Sequence, residues 1–184
     1  MDSGKTNYER YLAGDDGGLV EIIKEYGTGL TFYLRGYSND MSEAEELTED
    51  TFVSLAIKKP KFKSKSSFKT FLYTIGRNLA LDRYRKSKNR VLPLDEKLDY
   101  DVQTDDPEKK YIKSEINAYL YKCLANLPLE YRQVIWLVYF EELNYREVGK
   151  IVKKSEHAVA NTAYKARKLL KIDLEKEGFQ YDKL

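Results

Sequence analysis

The stretch NYREVGKIVKKSEHAVANTAYKARKLLK, residues 144–171, contains two helix-start signals in tandem. Asn144, with Glu147 three positions later, can form a capping box and predicts a first helix over residues 145–152. Ser155 predicts the start of a second, longer helix. Because only two residues separate these helices, the chain has to turn sharply between them, which is typical of a helix-turn-helix.

The second of these helices has an apolar face and a basic face at helical spacing. The residues that we expect to pack inward are Val159, Ala163, Ala166 and Leu170. The candidate DNA-binding residues are Ser155, His157, Ala160, Asn161, Tyr164, Lys165, Lys168 and Lys171. Residues 150–171 hold seven Lys or Arg against one acid. Charge of one sign favours DNA binding over the alternative, an ordinary helical hairpin with a solvated lysine face.

Composition excludes several classes of site. The chain has 184 residues, of which 42% are hydrophobic, enough for one domain of average size or two small ones. A single Cys123 and a single His157 exclude an internal disulfide and a Cys/His zinc site, and we expect no metal or cofactor. No apolar run approaches the roughly 20 residues that span a bilayer. The sequence therefore predicts a soluble, cytoplasmic protein without membrane insertion.

The net charge of +2 conceals a segregation of charge along the chain. Residues 40–57 carry six acids and no bases, whereas residues 58–90 carry twelve bases and one acid. Residues 91–110 then carry seven acids and three bases. A nearly neutral chain can therefore still contain a nucleic-acid-binding surface.

Helical periodicity extends over the whole chain, and no stretch alternates long enough to predict a sheet, so we expect an all-α fold. A first apolar stripe runs from Leu19 to Tyr37, and Gly27 and Gly29 could kink or split its helix. A capping box of Ser42 and Glu45 predicts a second helix that ends near residue 57. Ser66 or Ser67 can cap a third helix, whose predicted core-facing residues are Phe68, Phe71, Leu72, Ile75 and Leu79.

The segment VLPLDEKLDYDVQTDDP, residues 91–107, combines two prolines with many acids and shows no sustained period. It predicts a flexible acidic linker between two small helical domains, residues 1–90 and residues 108–184. The second domain should contain four helices: one starting at Pro107, one starting after Pro128, and the helix-turn-helix. Since each half has its own apolar stripes, we expect the halves to fold independently and a protease to cut within the linker.

The helix of residues 66–90 combines aromatic and basic residues. With its apolar stripe turned inward, the side predicted to be exposed consists of Lys69, Tyr73, Arg77, Ala80 and Tyr84, extended by Arg83, Arg85, Lys86 and Lys88. Tyrosine rings can stack on unpaired bases while basic side chains hold phosphates. The alternative is a solvated helix whose tyrosines complete the core. The residues alone leave both interpretations open.

The acidic helix places Glu45, Glu46, Glu49, Asp50 and Val53 along one exposed stripe. A metal or nuclease site is poorly supported because these residues form a row on a convex surface. A solvated face is the ordinary interpretation of such a stripe. A stripe of one sign can also dock a basic protein, since complementary charge accelerates encounter and fixes orientation.

Five segments, taken in order, resemble bacterial RNA polymerase sigma factors of the sigma-70 family, extracytoplasmic-function group. The segments are AGDDGGLVEIIKEYGTGLTFYL, SEAEELTEDTF, SSFKTFLYTIGRNLALDRYRK, LPLEYRQVIWLVYFEELNYREVGKIV and SEHAVANTAYKARKLL. The resemblance covers nearly the whole chain, with an acidic linker where the family has one. It implies a non-catalytic subunit that binds core RNA polymerase and directs promoter-specific transcription initiation.

The resemblance also implies a role for each surface. The acidic stripe would dock on the β′ clamp helices, and the second domain would lie on the β-flap and read the minus-thirty-five element through the residues named above. The residues that it assigns to minus-ten and single-strand promoter DNA are Lys61, Phe62, Lys63 and Lys65 of the loop and Arg77, Asn78, Asp82, Arg83 and Arg85 of the helix. The exposed side predicted for the same helix adds Lys69, Tyr73 and Lys86 to this candidate surface. Many members of the group are held inactive by an anti-sigma factor, which is a further expected partner.

Some positions depart from the family pattern. Phe71 stands where tryptophan is common, Gly76 where alanine is common, and Lys153 where a turn glycine is usual. A turn that needs positive φ is strained at a lysine.

The chief alternative function is a helix-turn-helix regulator that binds duplex operator DNA without polymerase, and a nuclease is a distant third. The acidic stripe and the tyrosine-rich basic helix favour the sigma factor because a duplex-only regulator needs neither.

Overall fold

The computed structural model describes residues 2–38, 40–87, 120 and 122–176, and within these ranges the chain is helical with no strand, as predicted. The helices are α1 (Ser3–Leu12), α2 (Gly17–Leu34), α3 (Met41–Lys58), α4 (Phe68–Ser87), α5 (Leu129–Ile135), α6 (Tyr145–Val152) and α7 (Glu156–Lys176). A 3-10 turn, Arg35–Tyr37, follows α2, and a π-helical turn, Trp136–Phe140, extends α5. Residues 122–126 are also helical. The predicted linker, its protease site and the helix start at Pro107 lie outside the described residues.

The N-terminal half packs α1 to α4 around a common core. The largest fully buried side chains of this half include Ile22, Leu30, Leu34, Leu47, Leu55 and Leu72. Helix α1 was not indicated by the periodicity. Two hydrogen bonds hold it against the rest of this half: the Tyr8 hydroxyl donates to the Pro60 carbonyl, and the Tyr11 hydroxyl donates to the Ala56 carbonyl.

Helix α2 runs without interruption from Gly17 to Leu34, so Gly27 and Gly29 do not split it. A glycine inside a helix costs about 1 kcal/mol relative to alanine. The burial of Ile22, Leu30 and other residues of this helix against the core offsets that cost.

The caps of the N-terminal half agree with the sequence at one helix and differ at another. The predicted Ser42 capping box is wrong, because α3 begins earlier, with Asp40 in an extended conformation accepting from the Glu43 amide at 2.7 Å. Aspartate is among the strongest N-cap residues. At α4 the Ser67 hydroxyl accepts from the Thr70 amide at 3.3 Å, which confirms the predicted cap.

The helix-turn-helix forms as predicted. The Asn144–Glu147 capping box is present, and α6 spans the predicted residues. Lys153 adopts φ 58°, the left-handed conformation that glycine takes most easily and that strains a lysine. The Ser155 hydroxyl accepts from the Ala158 amide and caps α7. The turn passes so close over Gly149 that a β-carbon there would lie 2.6 Å from the Lys154 carbonyl oxygen.

The two halves of the described chain pack against each other. One continuous apolar cluster includes Leu30 and Leu72 from the N-terminal half and Leu137, Val148 and Ile151 from the C-terminal half. Helix α4 packs on α6, and α2 contacts the π-helical turn. A smaller cluster of Leu124, Leu127, Ile135 and Ala166 lies within the C-terminal half. The division at residues 91–107 stays a prediction, whereas contact between the halves was not anticipated.

Candidate polymerase and promoter interfaces

The acidic stripe of α3 faces solvent along its whole length. Glu45, Glu46, Glu49, Asp50 and Val53 are all exposed, as predicted. The last turn extends the stripe with the strongly exposed apolar side chain of Ile57. The stripe therefore offers acidic and apolar contacts together on one convex face.

Arg83 of α4 bridges two acids of this stripe. Its Nη1 lies 3.2 Å from Glu46 Oε2, and its Nη2 lies 2.6 Å from Asp50 Oδ2. Pairs at such exposed carboxylates contribute little to stability, about 0–1 kcal/mol. The bridge therefore leaves the stripe available to a basic partner while connecting α3 to the residues predicted to contact promoter DNA.

The residues predicted to contact minus-ten DNA differ widely in exposure. Those exposed to solvent are Lys61, Lys63, Lys65, Asn78, Asp82, Arg85 and Lys86, and those half-buried are Phe62, Lys69, Arg77 and Arg83. Tyr73 is fully buried. The structure thus leaves the loop of residues 59–67 and the C-terminal half of α4 open and covers the centre of the predicted surface.

The predicted exposure of Tyr73 and Ala80 is wrong, since their exposed fractions are 0% and 1%. The Tyr73 ring packs 5.3 Å from the ring of Tyr33. Burial, followed by the negative charge of Glu141, raises the pKa of Tyr73 well above its ordinary value. Tyr84 stays exposed, so a tyrosine completes the core at one position of α4 and faces solvent at another.

Lys69 does not lie on an open surface either. Its ammonium pairs with Glu141 Oε2 at 2.8 Å, and the two side chains are 29% and 8% exposed. Trp136 Nε1 donates to Glu141 Oε1 at 3.3 Å. The contact joins α4 of the N-terminal half to the end of the π-helical turn in the C-terminal half.

The basic face of α7 is open, as predicted. Ser155, His157, Asn161, Tyr164, Lys165, Lys168 and Lys171 are exposed and Ala160 is half-buried, whereas Val159, Ala163 and Ala166 are buried on the opposite face. The Asn161 amide and the His157 ring share a hydrogen bond at 3.1 Å between Nδ2 and Nε2. The Lys168 ammonium lies 4.8 Å from the centroid of the Tyr164 ring. Some side chains of this face therefore contact and orient each other.

Glu130 of α5 orients the helix-turn-helix, a role that the sequence did not indicate. Its carboxylate accepts from the Lys154 ammonium in the turn and from the Thr162 hydroxyl on α7. The hydrogen bond from Lys154 lowers the pKa of the Glu130 carboxyl below its ordinary value. No local spacing relates residue 130 to residues 154 and 162, so only the packing of α5 on α7 brings them together.

Two kinds of site are not found within the described ranges. No group of three or more His, Cys, Asp or Glu residues in these ranges is placed to hold a metal ion. None of the helices described is both long enough and apolar enough to cross a membrane.

Comparisons with known proteins agree with this geometry. The family model for Sigma-70 region 2 matches residues 22–90, and the model for Sigma-70, region 4 matches residues 117–170. The first match contains α3, α4 and the basic loop, and the second contains the helix-turn-helix. The first matched region therefore contains two of the candidate surfaces, the α3 stripe and the loop with α4, and the second contains most of the third, on α7.

Individual relatives cover most of the chain. It is 25% identical to the ECF RNA polymerase sigma factor SigW of Bacillus subtilis (strain 168), over 92% of this chain and 96% of SigW. It is 29% identical to the ECF RNA polymerase sigma factor SigM of the same organism, over 83% of this chain and 93% of SigM. The sigma factor RpoE of Bartonella quintana, solved with the anti-sigma factor NepR, has a similar fold, with a TM-score of 0.67 at 20% identity, over 84% of this chain and 97% of RpoE. The chain belongs to the sigma-70 family of RNA polymerase sigma factors, in the extracytoplasmic-function group.

Proposed function

We propose that this sigma factor binds core RNA polymerase and directs promoter-specific initiation through three separate surfaces, each carried by one helix. The acidic stripe of α3 is the docking surface, the basic loop with α4 holds minus-ten DNA, and α7 reads minus-thirty-five DNA. The observation that carries this assignment is the separation of exposed charge: the acids of α3 and the bases of α7 lie on different helices, both open to solvent.

The α3 stripe fits the β′ clamp helices because its charge is of one sign and its end is apolar. Complementary charge orients two proteins as they meet, while apolar contacts at the centre of an interface supply most of the affinity. Val53, 52% exposed, and Ile57, 77% exposed, are large apolar side chains that follow Asp50 along α3. A stripe of acids alone would lack that anchor.

Helix α7 fits duplex DNA because polar side chains occupy its N-terminal turns and cations extend along it. The N-terminal part of a recognition helix points into the major groove, where an asparagine can pair with adenine in bidentate fashion. In this proposal Asn161 and Lys165 contact base edges, and Lys168 and Lys171 contact phosphates. The remaining exposed surface of the C-terminal half would contact the β-flap.

The loop and α4 fit single-stranded DNA through exposed lysines and arginines together with Phe62 and Tyr84. Ring stacking on an unpaired base contributes roughly 1–3 kcal/mol. The residues assigned to this surface are those named for it above, of which Tyr73 and Lys69 require rearrangement before they can touch DNA. The site of action would be the cytoplasm, where core polymerase and promoters are found, and a protein inhibitor of the anti-sigma kind is a further proposed partner.

Co-purification tests this assignment against the alternative of an operator-binding regulator. A tagged chain expressed in its source organism should recover the β and β′ subunits of core polymerase. The variant Glu46→Lys with Asp50→Lys should recover much less, whereas Lys165→Ala on α7 should recover as much as the wild type. Recovery of no polymerase subunit by the wild type would contradict the proposed function and favour the regulator.

A further inference from the structure

The basic loop that we assign to minus-ten DNA has a strained backbone. The loop, residues 59–67, connects α3 to α4, and its residues Lys59 and Ser64 have φ values of 42° and 50°. Residues other than glycine rarely adopt this left-handed conformation, because the β-carbon then crowds the backbone. Such strain persists only where the surrounding structure holds the chain in place. The contacts that hold this loop therefore determine where its lysines lie.

One of these contacts comes from the N-terminal helix, α1. The Tyr8 hydroxyl donates to the Pro60 carbonyl, at the start of the loop, with a distance of 2.8 Å. Tyr8 is only 1% exposed. Burial, followed by the charge of Tyr11, raises the pKa of Tyr8 to about 12, so the hydroxyl keeps its proton at neutral pH and remains a donor. This hydrogen bond therefore fixes the start of the loop to α1.

Aromatic rings join α1, the loop and α4 in one cluster. The ring centroid of Tyr8 lies 5.4 Å from that of Phe68 and 6.1 Å from that of Phe71, both on α4. Phe62 of the loop packs on the same two rings, at 5.8 Å from Phe68 and 5.2 Å from Phe71. Tilted and edge-on ring pairs at these distances are favourable. The cluster therefore places Phe62, which we assign to DNA, relative to both α1 and α4.

Asp2 fixes α1 to the start of α4. Its Oδ1 accepts from the Lys5 amide of α1 at 3.2 Å, and its Oδ2 accepts from the Phe68 amide of α4 at 2.7 Å. One carboxylate thus satisfies free amides at the beginnings of two helices. Because α1 is held on α4 in this way, a side chain of α1 that anchors the loop also sets the position of the loop relative to α4.

Tyr8 is buried, whereas the lysines of the loop are open to solvent. Lys61, Lys63 and Lys65 are all exposed. These cations can reach phosphates directly, but the Tyr8 side chain can act on DNA only through the loop that it holds.

We propose that Tyr8 is a positioning residue for promoter recognition, whose hydroxyl holds the basic loop in the conformation that receives a single DNA strand. This inference rests on the proposed function, because it presumes that the loop binds minus-ten DNA. Without the hydrogen bond to Pro60, the strained loop should populate other conformations. The apparent affinity for DNA then falls with the fraction of molecules that keep the competent conformation.

Two matched variants separate this role from a general effect on stability. Tyr8→Phe removes the hydroxyl and keeps the ring, so the aromatic cluster is preserved. The control, Tyr11→Phe, removes a hydroxyl of the same helix that donates to the Ala56 carbonyl of α3 at 3.1 Å, outside the loop. The Tyr11 ring, which lies 4.9 Å from the Lys59 ammonium, is kept. Each variant loses one hydroxyl-to-carbonyl hydrogen bond of α1, but only Tyr8→Phe should release the loop.

The first measurement is hydrogen exchange of the full-length free protein, followed by mass spectrometry. Peptides that cover residues 59–67 should exchange faster in Tyr8→Phe than in the wild type. The same peptides should exchange at the wild-type rate in Tyr11→Phe, because its lost hydrogen bond lies in α3.

The second measurement is single-strand selectivity of the holoenzyme assembled from core polymerase. The wild-type holoenzyme selects strands from a random pool of single-stranded DNA, and its affinity for a selected strand is compared with that for a scrambled strand. Tyr8→Phe should lower this ratio by roughly fivefold, the size expected for loss of one neutral hydrogen bond. Tyr11→Phe should keep the wild-type ratio. Surface plasmon resonance should show that both variants bind core polymerase as the wild type does, since the α3 stripe is unchanged.

The inference requires that Tyr8→Phe show faster loop exchange and a lower ratio together. Either change without the other, neither change, an equal fall of the ratio in Tyr11→Phe, or weaker core binding by Tyr8→Phe would overturn it. Failure of the wild type to bind core, or failure of its holoenzyme to select any strand, contradicts the proposed function instead. A selected strand that the Tyr8→Phe holoenzyme binds with the wild-type ratio contradicts the positioning role alone.

Discussion

Helices α4 and α7 are both basic, both carry tyrosines and were both predicted to bind DNA, yet they differ in what covers them. The predicted polar face of α7 is open, with Tyr164 55% exposed. The predicted polar face of α4 is covered in its middle, with Tyr73 0% exposed. In α7 the small residues Ala163 and Ala166 face the core, whereas α4 has large side chains on more than one face.

The difference shows what periodicity can and cannot indicate. The apolar face of each helix was predicted from spacing, because residues at i, i+3 and i+4 share a face. A helix with a second partner buries a second face, and if that partner is distant in sequence, no local spacing reveals it. Tyr73 is such a case, because its ring packs on the ring of Tyr33 in α2, which lies far from it in sequence.

The largest expected effect tests this difference with one tyrosine from each helix. Tyr73→Ala should lower the free energy of unfolding by about 3–5 kcal/mol, because it removes a fully buried aromatic ring. Tyr164→Ala should change it by no more than about 0.5 kcal/mol, because the ring faces solvent. Urea denaturation of the full chain, followed by circular dichroism, measures both. Equal losses for the two variants would mean that the helices do not differ in burial in solution.

The next effect concerns how α7 uses its open face. Asn161→Ala should cost about 1–3 kcal/mol at one base pair and relax the preference there, because an amide contact to a base edge is lost. Lys168→Ala should weaken binding to all sequences alike. It should also reduce the slope of log binding constant against log salt concentration by roughly one, because one phosphate contact is lost. Holoenzyme binding to a panel of upstream-element variants at two salt concentrations distinguishes the two. If Asn161→Ala lowered affinity equally for every sequence in the panel, Asn161 would not be a residue that contacts a base edge.

Much of the architecture could be predicted from the sequence, because its signals are local. The Asn144 capping box and the Ser155 cap each depend on residues a few positions apart, and each was found as predicted. The exposure of the acidic stripe followed from the apolar face of α3. The start of α3 was misassigned because Asp40 competes with Ser42 as a cap, and both residues are good caps.

What could not be predicted depends on contacts between distant segments. The ion pair of Lys69 with Glu141 and the contacts of Glu130 with Lys154 and Thr162 join residues that no spacing rule relates. Helix α1 was missed because its buried contacts are tyrosines whose hydroxyls bond carbonyls of α3 and the following loop. These features follow from packing and not from the pattern of any single helix.

A smaller effect is expected from changes in the α3 stripe and in Arg83, the residue of α4 that pairs with it. Glu46→Lys with Asp50→Lys should lower affinity for core polymerase on the order of tenfold, because like charges would meet at the docking surface. Arg83→Ala removes the bridge on α4 but leaves both acids, so it should not lower this affinity. Surface plasmon resonance with immobilised core measures both, and circular dichroism checks the fold. A loss for Arg83→Ala as large as for the double variant would assign the effect to the bridge and not to the stripe.

The smallest effect concerns Glu130 and has a defined pH dependence. Because the pKa of this carboxyl is lowered in the folded state, its contact stabilises the fold above the ordinary pKa of glutamate and is lost as the pH falls through the lowered value. Glu130→Gln should therefore lower stability at pH 7, by less than about 1 kcal/mol since the pair is partly exposed, and the difference should shrink below about pH 4. Urea midpoints at the two pH values measure it. Glu175→Gln, in an exposed pair with Lys171, is the control, and a difference that grew on acidification would contradict the assignment.

Transcription by core polymerase from fragmented genomic DNA of the source organism, with RNA 5′ ends mapped by sequencing, tests most directly that this chain is a sigma factor. Addition of the protein should produce discrete 5′ ends that share a pair of upstream motifs and that are absent with core alone. Asn161→Ala should alter the upstream motif of the pair while the downstream motif stays the same. If the protein bound genomic DNA but produced no new 5′ ends with core polymerase, the assignment of this chain to promoter-specific initiation would be contradicted.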